Sequence, residues 1–196
     1  MIDGSAKAHL HDHLRWVREA LVWKLDGLSE YDIRRPLTST GTNLLGLIKH
    51  NAMWDSRYFG EVFDRPYPEP LPRWDDPTAS GTDHWANERE TRAEIVGLYQ
   101  RVWSRSDATI EALDLGARGY VPWWQDEVPL FNVMVHCLSD TTRHAGHADI
   151  LREGLDGAVG VDPVSPTRHG RDDAFWEARR AAIERAARAA DTAWSS

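Results

Sequence analysis

Apolar residues recur every three or four positions over several long stretches of this chain, a period that admits helices and little else. Leu10, Leu14, Val17, Leu21, Leu25 and Leu28 mark one face of a first helix over residues 5–28, weakened at its end by Asp26-Gly27. A polar segment through Arg35-Pro36 and Thr40-Gly41 follows. Thr42 or Asn43 can cap a second helix carrying Leu44, Leu47, Ile48, Tyr58, Phe59 and Val62, which should stop near Asp64, ahead of Pro66. A third helix is expected over about 87–113, with Ile95, Leu98, Val102, Thr109, Ile110 and Leu113 on its inner side and Gly116 and Gly119 beyond its end. The fourth begins near Pro129, a residue tolerated in a first turn, and runs to about Leu155. A charged, Ala-rich helix over 172–190, anchored by Phe175, Trp176 and Ile183, should dock on the outside. No internal repeat and no convincing series of strands breaks the pattern. The expectation is an all-α fold: a four-helix bundle over residues 1–160 with long loops, then a linker and an additional C-terminal helix over 161–196 packed on it.

The connections are as informative as the helices. Residues 65–82, RPYPEPLPRWDDPTASGT, contain five prolines, so neither a regular helix nor a central strand can form there. Long irregular connections in compact domains are often functional. Residues 120–129 read as another loop. Several of the ten Trp lie in such stretches, as in Pro72-Arg73-Trp74 and Pro122-Trp123-Trp124. They can pack the loops onto the bundle or form the wall of a substrate mouth.

Composition narrows the function. A net charge of −8 argues against a nucleic-acid partner, whose phosphates require clustered Lys and Arg. Neither a signal peptide nor a run of ~20 apolar residues is present, so no membrane role and a cytoplasmic location are expected. Cys137 is the only cysteine, which leaves His, Asp and Glu for any metal site. It lies on an apolar stripe and reads as core rather than nucleophile. No P-loop, GxGxxG, GxSxG or HExxH motif occurs.

The fourth helix carries the anomaly. At about 100° per residue, Val133, Cys137, Leu151 and Leu155 define its inner stripe, and Asp140 and His144 fall in the middle of it. A buried carboxylate demands compensation. Spacing i, i+4 puts both side chains on one face, where they could chelate one ion or simply hydrogen-bond to each other and fix the helix register. His136 and His147 lie nearer the edge, and Asp149 is also within range. His50 sits on the flank of the second helix, among Leu47 and Trp54. His9, His11 and His13 are spread around the first helix and read as solvent-facing, with His13 the best outside candidate.

Two stretches, RRPLTSTGTNLLGLIKHNAMWDSRYFGEVFDRP at 34–66 and HCLSDTTRHAGHADILRE at 136–153, together with WKLDGLS and ATIEALDL, carry a likeness to a known family. The chain resembles the DinB-like (YfiT-like) superfamily of metal-binding four-helix bundles, close to the branch of mycothiol-dependent maleylpyruvate isomerase and the mycothiol transferases. The resemblance implies a divalent metal, zinc or nickel, held by His50, Asp140 and His144. Asp140 departs from the His or Glu usual at that position. The resemblance also implies a thiol S-transferase or thiol-dependent isomerase, in which the metal lowers the pKa of a low-molecular-weight thiol such as mycothiol for attack on a small-molecule electrophile. A homodimer is the family habit. The competing expectation is a non-catalytic metal- or small-molecule-binding bundle with a stress-related role.

Overall fold

The computed structural model describes residues 2–164 and 170–194, so the middle of the expected linker, 165–169, lies outside the described residues. The chain is mostly helical. Helix α1 (Ile2–Trp23) buries Leu14, Val17 and Leu21, the stripe read from the sequence. His11 shares that stripe, three residues before Leu14. It is 7% exposed and hydrogen-bonded to Asp107, which corrects its reading as a solvent-facing histidine.

A short helix α2 (Glu30–Arg34) precedes the polar segment at Arg35-Pro36. Ser29 caps it by accepting from the backbone N–H of Asp32, and Ile33 is fully buried beneath it. Helix α3 (Leu44–Tyr58) starts at the cap Asn43, whose side-chain oxygen accepts from Gly46 N at 2.8 Å. It ends well before Asp64. The Gly60 carbonyl accepts from both Phe63 N and Arg65 N, and this tight turn continues as a 3-10 turn at Glu61–Phe63 that still buries Val62. The apolar period thus carries on past the helix that generates it.

Helix α4 (Arg92–Ala112) starts later than the expected residue 87. Thr91 and Glu94 form a capping box that fixes the start at this Thr-x-x-Glu pair. Residues 120–129 are not a loop: strand β1 (Arg118–Val121) pairs antiparallel with β2 (Asp126–Pro129), Gly119 opposite Val128. Val121 and Val128 are buried, and a side chain at Gly119 would meet the Val62 carbonyl, so the hairpin lies flat against the 61–63 turn. Helix α5 (Leu130–Asp156) follows directly and stops at Gly157 in the left-handed conformation. Helix α6 (Asp173–Trp194) is exposed along nearly all of its described side chains, with Ile183 59% exposed, and Trp176 is half-buried beside Gly157 and Val159.

The four long helices pack α3 on α4, α1 on α5, α3 on α5 and α1 on α4. One apolar cluster gathers Leu14, Tyr58, Phe59, Ile110, Val133 and Cys137 under the hairpin. A second gathers Leu21, Ile33, Leu45, Ile48, Tyr99 and Ala148 at the other end. Between helices, the fully buried Arg18 is paired with Asp55 at 2.7 Å and reaches Asp107 at 3.2 Å. No helix among the described residues is long and apolar enough to cross a membrane.

Candidate metal centre

Packing of α3 against α5 brings His50 beside Asp140 and His144, and their potential ligand atoms all lie within 4.8 Å of one another. The i, i+4 spacing on α5 places the His144 Nε2 3.5 Å from the Asp140 carboxylate. The pair does not sit mid-stripe as periodicity implied. The buried line of α5 runs through Val133, Cys137, Thr141, Ala145 and Ala148, and Leu151 and Leu155 are only partly covered. Asp140 and His144 flank that line, their side chains 37% and 15% exposed, at the rim where a ligand can enter.

A third contributor comes from the irregular connection. The 3-10 turn Thr82–His84 lies against α3, and the Asp83 carboxylate accepts from His50 Nδ1 at 2.7 Å and from Trp54 Nε1 at 3.2 Å. The His84 ring stacks on His50 with centroids 4.4 Å apart. His50, Asp83 and His84 therefore form a second group of close donors that shares His50 with the first. Neither Asp83 nor His84 belongs to a periodic pattern. The one signal for them is an Asp-His pair beside Trp85, just past a proline-rich run.

The turn is fastened to α3 by contacts that require particular residues. A Cβ at Gly46 would stand 1.9 Å from the His84 carbonyl oxygen, so only glycine lets the backbones meet. Asn43 donates to that same carbonyl at 3.2 Å while capping α3. Lys49 donates to the Trp85 carbonyl and pairs with Glu90 at 2.7 Å.

Electrostatics match the geometry. Partial burial would raise the Asp83 carboxyl, but the hydrogen bond from His50 and the charges of His84 and His50 hold it well below the usual carboxylate range. The hydrogen bond from His144 keeps Asp140 low against its own desolvation. Burial, with the charges of His50 and His144 nearby, lowers His84. His144 Nδ1 is buried and has no hydrogen-bond partner, an arrangement normally avoided. With Asp83 on its Nδ1, His50 has Nε2 free, which is how a carboxylate fixes the tautomer of a ligating imidazole.

The other histidines stand apart. His136 packs between Tyr58 and Trp124, at 4.8 and 4.7 Å, and burial lowers it. His147 is exposed, 5.7 Å from the His144 ring. Asp149 pairs with Lys24 at 2.5 Å, on the helix surface away from the donors. Cys137 is buried in the core, and desolvation raises its thiol well above its ordinary value.

Two clefts flank the 81–84 segment. One, about 250 Å³, is lined by His50, Trp54, Arg57, Trp74 and Asp83. The other, about 600 Å³, is lined by Thr40, Thr42, Asn43, Trp85, His144 and His147. The aromatic wall between loops and helix is continuous: Trp123 donates to the Tyr58 hydroxyl at 3.0 Å and meets Trp54 and Trp74 at 5.3 and 5.7 Å.

Fold and site together define a helical protein in which two helices and a proline-rich loop converge on a His/Asp donor cluster between two clefts. The sequence matches the family model described as Mycothiol-S-transferase over residues 9–157, and the chain belongs to that family. Comparison with curated proteins gives no match.

Proposed function

We propose that this chain is a divalent-metal-dependent S-transferase built on a four-helix bundle, which joins a low-molecular-weight thiol, mycothiol by family, to an electrophilic small molecule. The observation that carries the reading is the convergence of His50, Asp140 and His144 within 4.8 Å, with a buried, unpartnered nitrogen on His144. The donor set fits the group: two imidazoles and one carboxylate suit zinc or nickel, and three protein ligands leave positions open. Ligands at about 2.0–2.2 Å from a tetrahedral ion sit about 3.4 Å apart, so the three donors, now within 4.8 Å of one another, would draw together on binding it. A divalent ion there would lower the pKa of the cosubstrate thiol so that a thiolate exists near neutral pH.

The chain's own residues do the rest. Asp83 fixes the tautomer and orientation of His50, and Trp54 steadies Asp83. The larger cleft offers the hydroxyls of Thr40 and Thr42 and the exposed His147 imidazole to a polar thiol arriving on the His144 side. Trp54 and Trp74 give the smaller cleft on the His50 side apolar surface against which an electrophile can lie. In the reaction the thiol would lose its proton to solvent, a sulfur lone pair would form the new S–C bond, and the electron pair of the broken bond would leave with the displaced group, or, in an addition, would be taken up by the activated carbonyl compound, which regains a proton from solvent.

The test has two arms. Purified protein should hold about one zinc or nickel ion per chain, lost in His50→Ala and His144→Ala variants that remain helical. It should then conjugate mycothiol to a model electrophile such as chlorodinitrobenzene, with the rate abolished by chelator and restored by metal. Metal binding without turnover across several thiols and electrophiles would make the chain a binding protein instead, and a folded wild type that takes up no metal would end the reading.

A further inference from the structure

Among the described residues, Arg57 is a buried cation with no carboxylate paired to it. It lies seven residues after His50 on α3, two turns along the same face, with Met53 and Trp54 between them. The residue is only 6% exposed. Its guanidinium donates to the Pro72 carbonyl at 2.7 Å and stacks over the Trp54 ring at 4.6 Å. No carboxylate among the described residues pairs with it. The other buried arginines differ: Arg18 is held by Asp55 at 2.7 Å and Arg152 by Asp156 at 2.9 Å. The acidic groups nearest Arg57 are engaged elsewhere or exposed: Asp83 accepts from His50, Asp75 pairs with Arg73, and Glu61 faces solvent. Desolvation accordingly lowers the Arg57 pKa, a direction that pairing would have opposed.

A guanidinium has five donors, and Arg57 places one of them on Pro72. Arg57 also lines the 250 Å³ cleft that reaches His50. Arg73, the other cation there, is already bound by two hydrogen bonds to Asp75, at 2.8 and 2.7 Å. Trp54 and Trp74 supply apolar surface to the same cleft. A buried guanidinium with no carboxylate partner, in a cleft that two indoles also line, matches a carboxylate attached to a small apolar body, since the planar guanidinium binds carboxylates in a two-point geometry.

We infer that the His50-side cleft is a carboxylate-binding site, and that the electrophile this protein acts on is a small carboxylic acid whose carboxylate sits on Arg57 and whose carbon skeleton lies against Trp54 and Trp74. Assigning the ligand as the electrophile rests on the transferase reading. The carboxylate site itself does not. Cleft volume restricts the ligand to a small molecule, and the shared face of α3 points its far end toward His50.

Benzoate is the probe, with benzamide as its neutral isostere and inorganic phosphate as a bare oxyanion. Binding to the full chain is followed by tryptophan fluorescence and calorimetry, with and without zinc. Benzoate should bind about tenfold or more tightly than benzamide and than phosphate, with or without zinc. Arg57→Gln should remove that preference while leaving zinc affinity unchanged, and Arg57→Lys should restore part of it. Trp74→Ala, on an exposed and easily tolerated position, should weaken benzoate without altering the fold. Equal binding of benzoate and benzamide overturns the inference, as does phosphate binding as well as benzoate. So does a benzoate site that needs zinc and survives Arg57→Gln, because the carboxylate would then be on the metal. Loss of zinc binding or turnover with the benzoate preference intact would remove the transferase reading and keep the site.

Discussion

Replacing Asp83 with alanine tests whether the loop, and not only the two helices, builds the donor site. The substitution removes the acceptor of the 2.7 Å bond from His50 Nδ1 and of the 3.2 Å bond from Trp54 Nε1. Freed of its partner, the His50 ring can present either nitrogen inward, and choosing between two orientations is worth about 0.4 kcal/mol at ~0.6 kcal/mol for RT. The lost bond to an ionised acceptor is worth about 1.5–3 kcal/mol, of which water recovers a part because Asp83 is half-buried rather than sealed. Together these give about 1.4–2.7 kcal/mol, a 10–100-fold loss of metal affinity, the range found for such supporting carboxylates. Competition with a chromophoric chelator for zinc measures it, and far-ultraviolet circular dichroism establishes that the helices persist. Asp83→Asn keeps a neutral acceptor and should fall between. An alanine variant that is folded and holds zinc within about twofold of the parent would refute the role given to Asp83. A His84→Ala control separates the two donor groups: stacking alone predicts little change, whereas ligation by His84 predicts a loss as large as that of His50→Ala.

Three further outcomes follow from the packing. Gly46→Ala puts a Cβ 1.9 Å from the His84 carbonyl, so α3 and the 82–84 turn must separate; about 1–3 kcal/mol of stability should be lost in thermal melts, and zinc affinity should drop with it. Asp55→Ala leaves the fully buried Arg18 with Asp107 alone, at 3.2 Å, and should lower stability by about 2–4 kcal/mol, a fall of roughly 4–16 °C in Tm; a drop under about 1 kcal/mol would contradict the importance of the pairing. Burial pushes the Tyr58 phenol up to about 12, against the hydrogen bond donated by Trp123. Because the folded value exceeds the unfolded one near 10, Tyr58 favours the fold fully below about pH 10 and that contribution declines as pH rises toward 12. Spectrophotometric titration should show its late step, and Tyr58→Phe should remove it.

The fold was legible where burial is periodic. Leu14, Val17 and Leu21 on α1, and Ile95, Val102 and Ile110 on α4, are buried as their spacing indicates. Periodicity failed where apolar residues are covered without a helix. Val62 continues the α3 pattern but lies in a 3-10 turn, because the chain reverses on the Gly60 carbonyl. The hairpin was hidden by its four-residue strands, too short for alternation to register. His11 shows the converse error: an i, i+2 series must turn one member inward, and the Leu14–Leu21 stripe selects His11, whose partner Asp107 lies on a helix far along the chain.

At the site, the sequence revealed the half that is local. Asp140 and His144 announce themselves by spacing, while His50, on a helix flank, was selected by resemblance alone. Asp83 and His84 could not be found that way, since their approach to His50 depends on the path of a proline-rich loop and on glycine at 46, neither of which leaves a period. Their presence changes how the shorter carboxylate at 140 is to be understood. Two neutral imidazoles and Asp140 leave one positive charge on a divalent ion, and a thiolate would neutralise it. In that proposal Asp83 adds no ligand to the sum, but accepting from His50 Nδ1 it would make His50 the stronger donor to an ion. On the proposed metal reading Asp140 would hold the ion directly and Asp83 would tune it through His50, so losing a helix ligand should cost more affinity than losing the loop carboxylate.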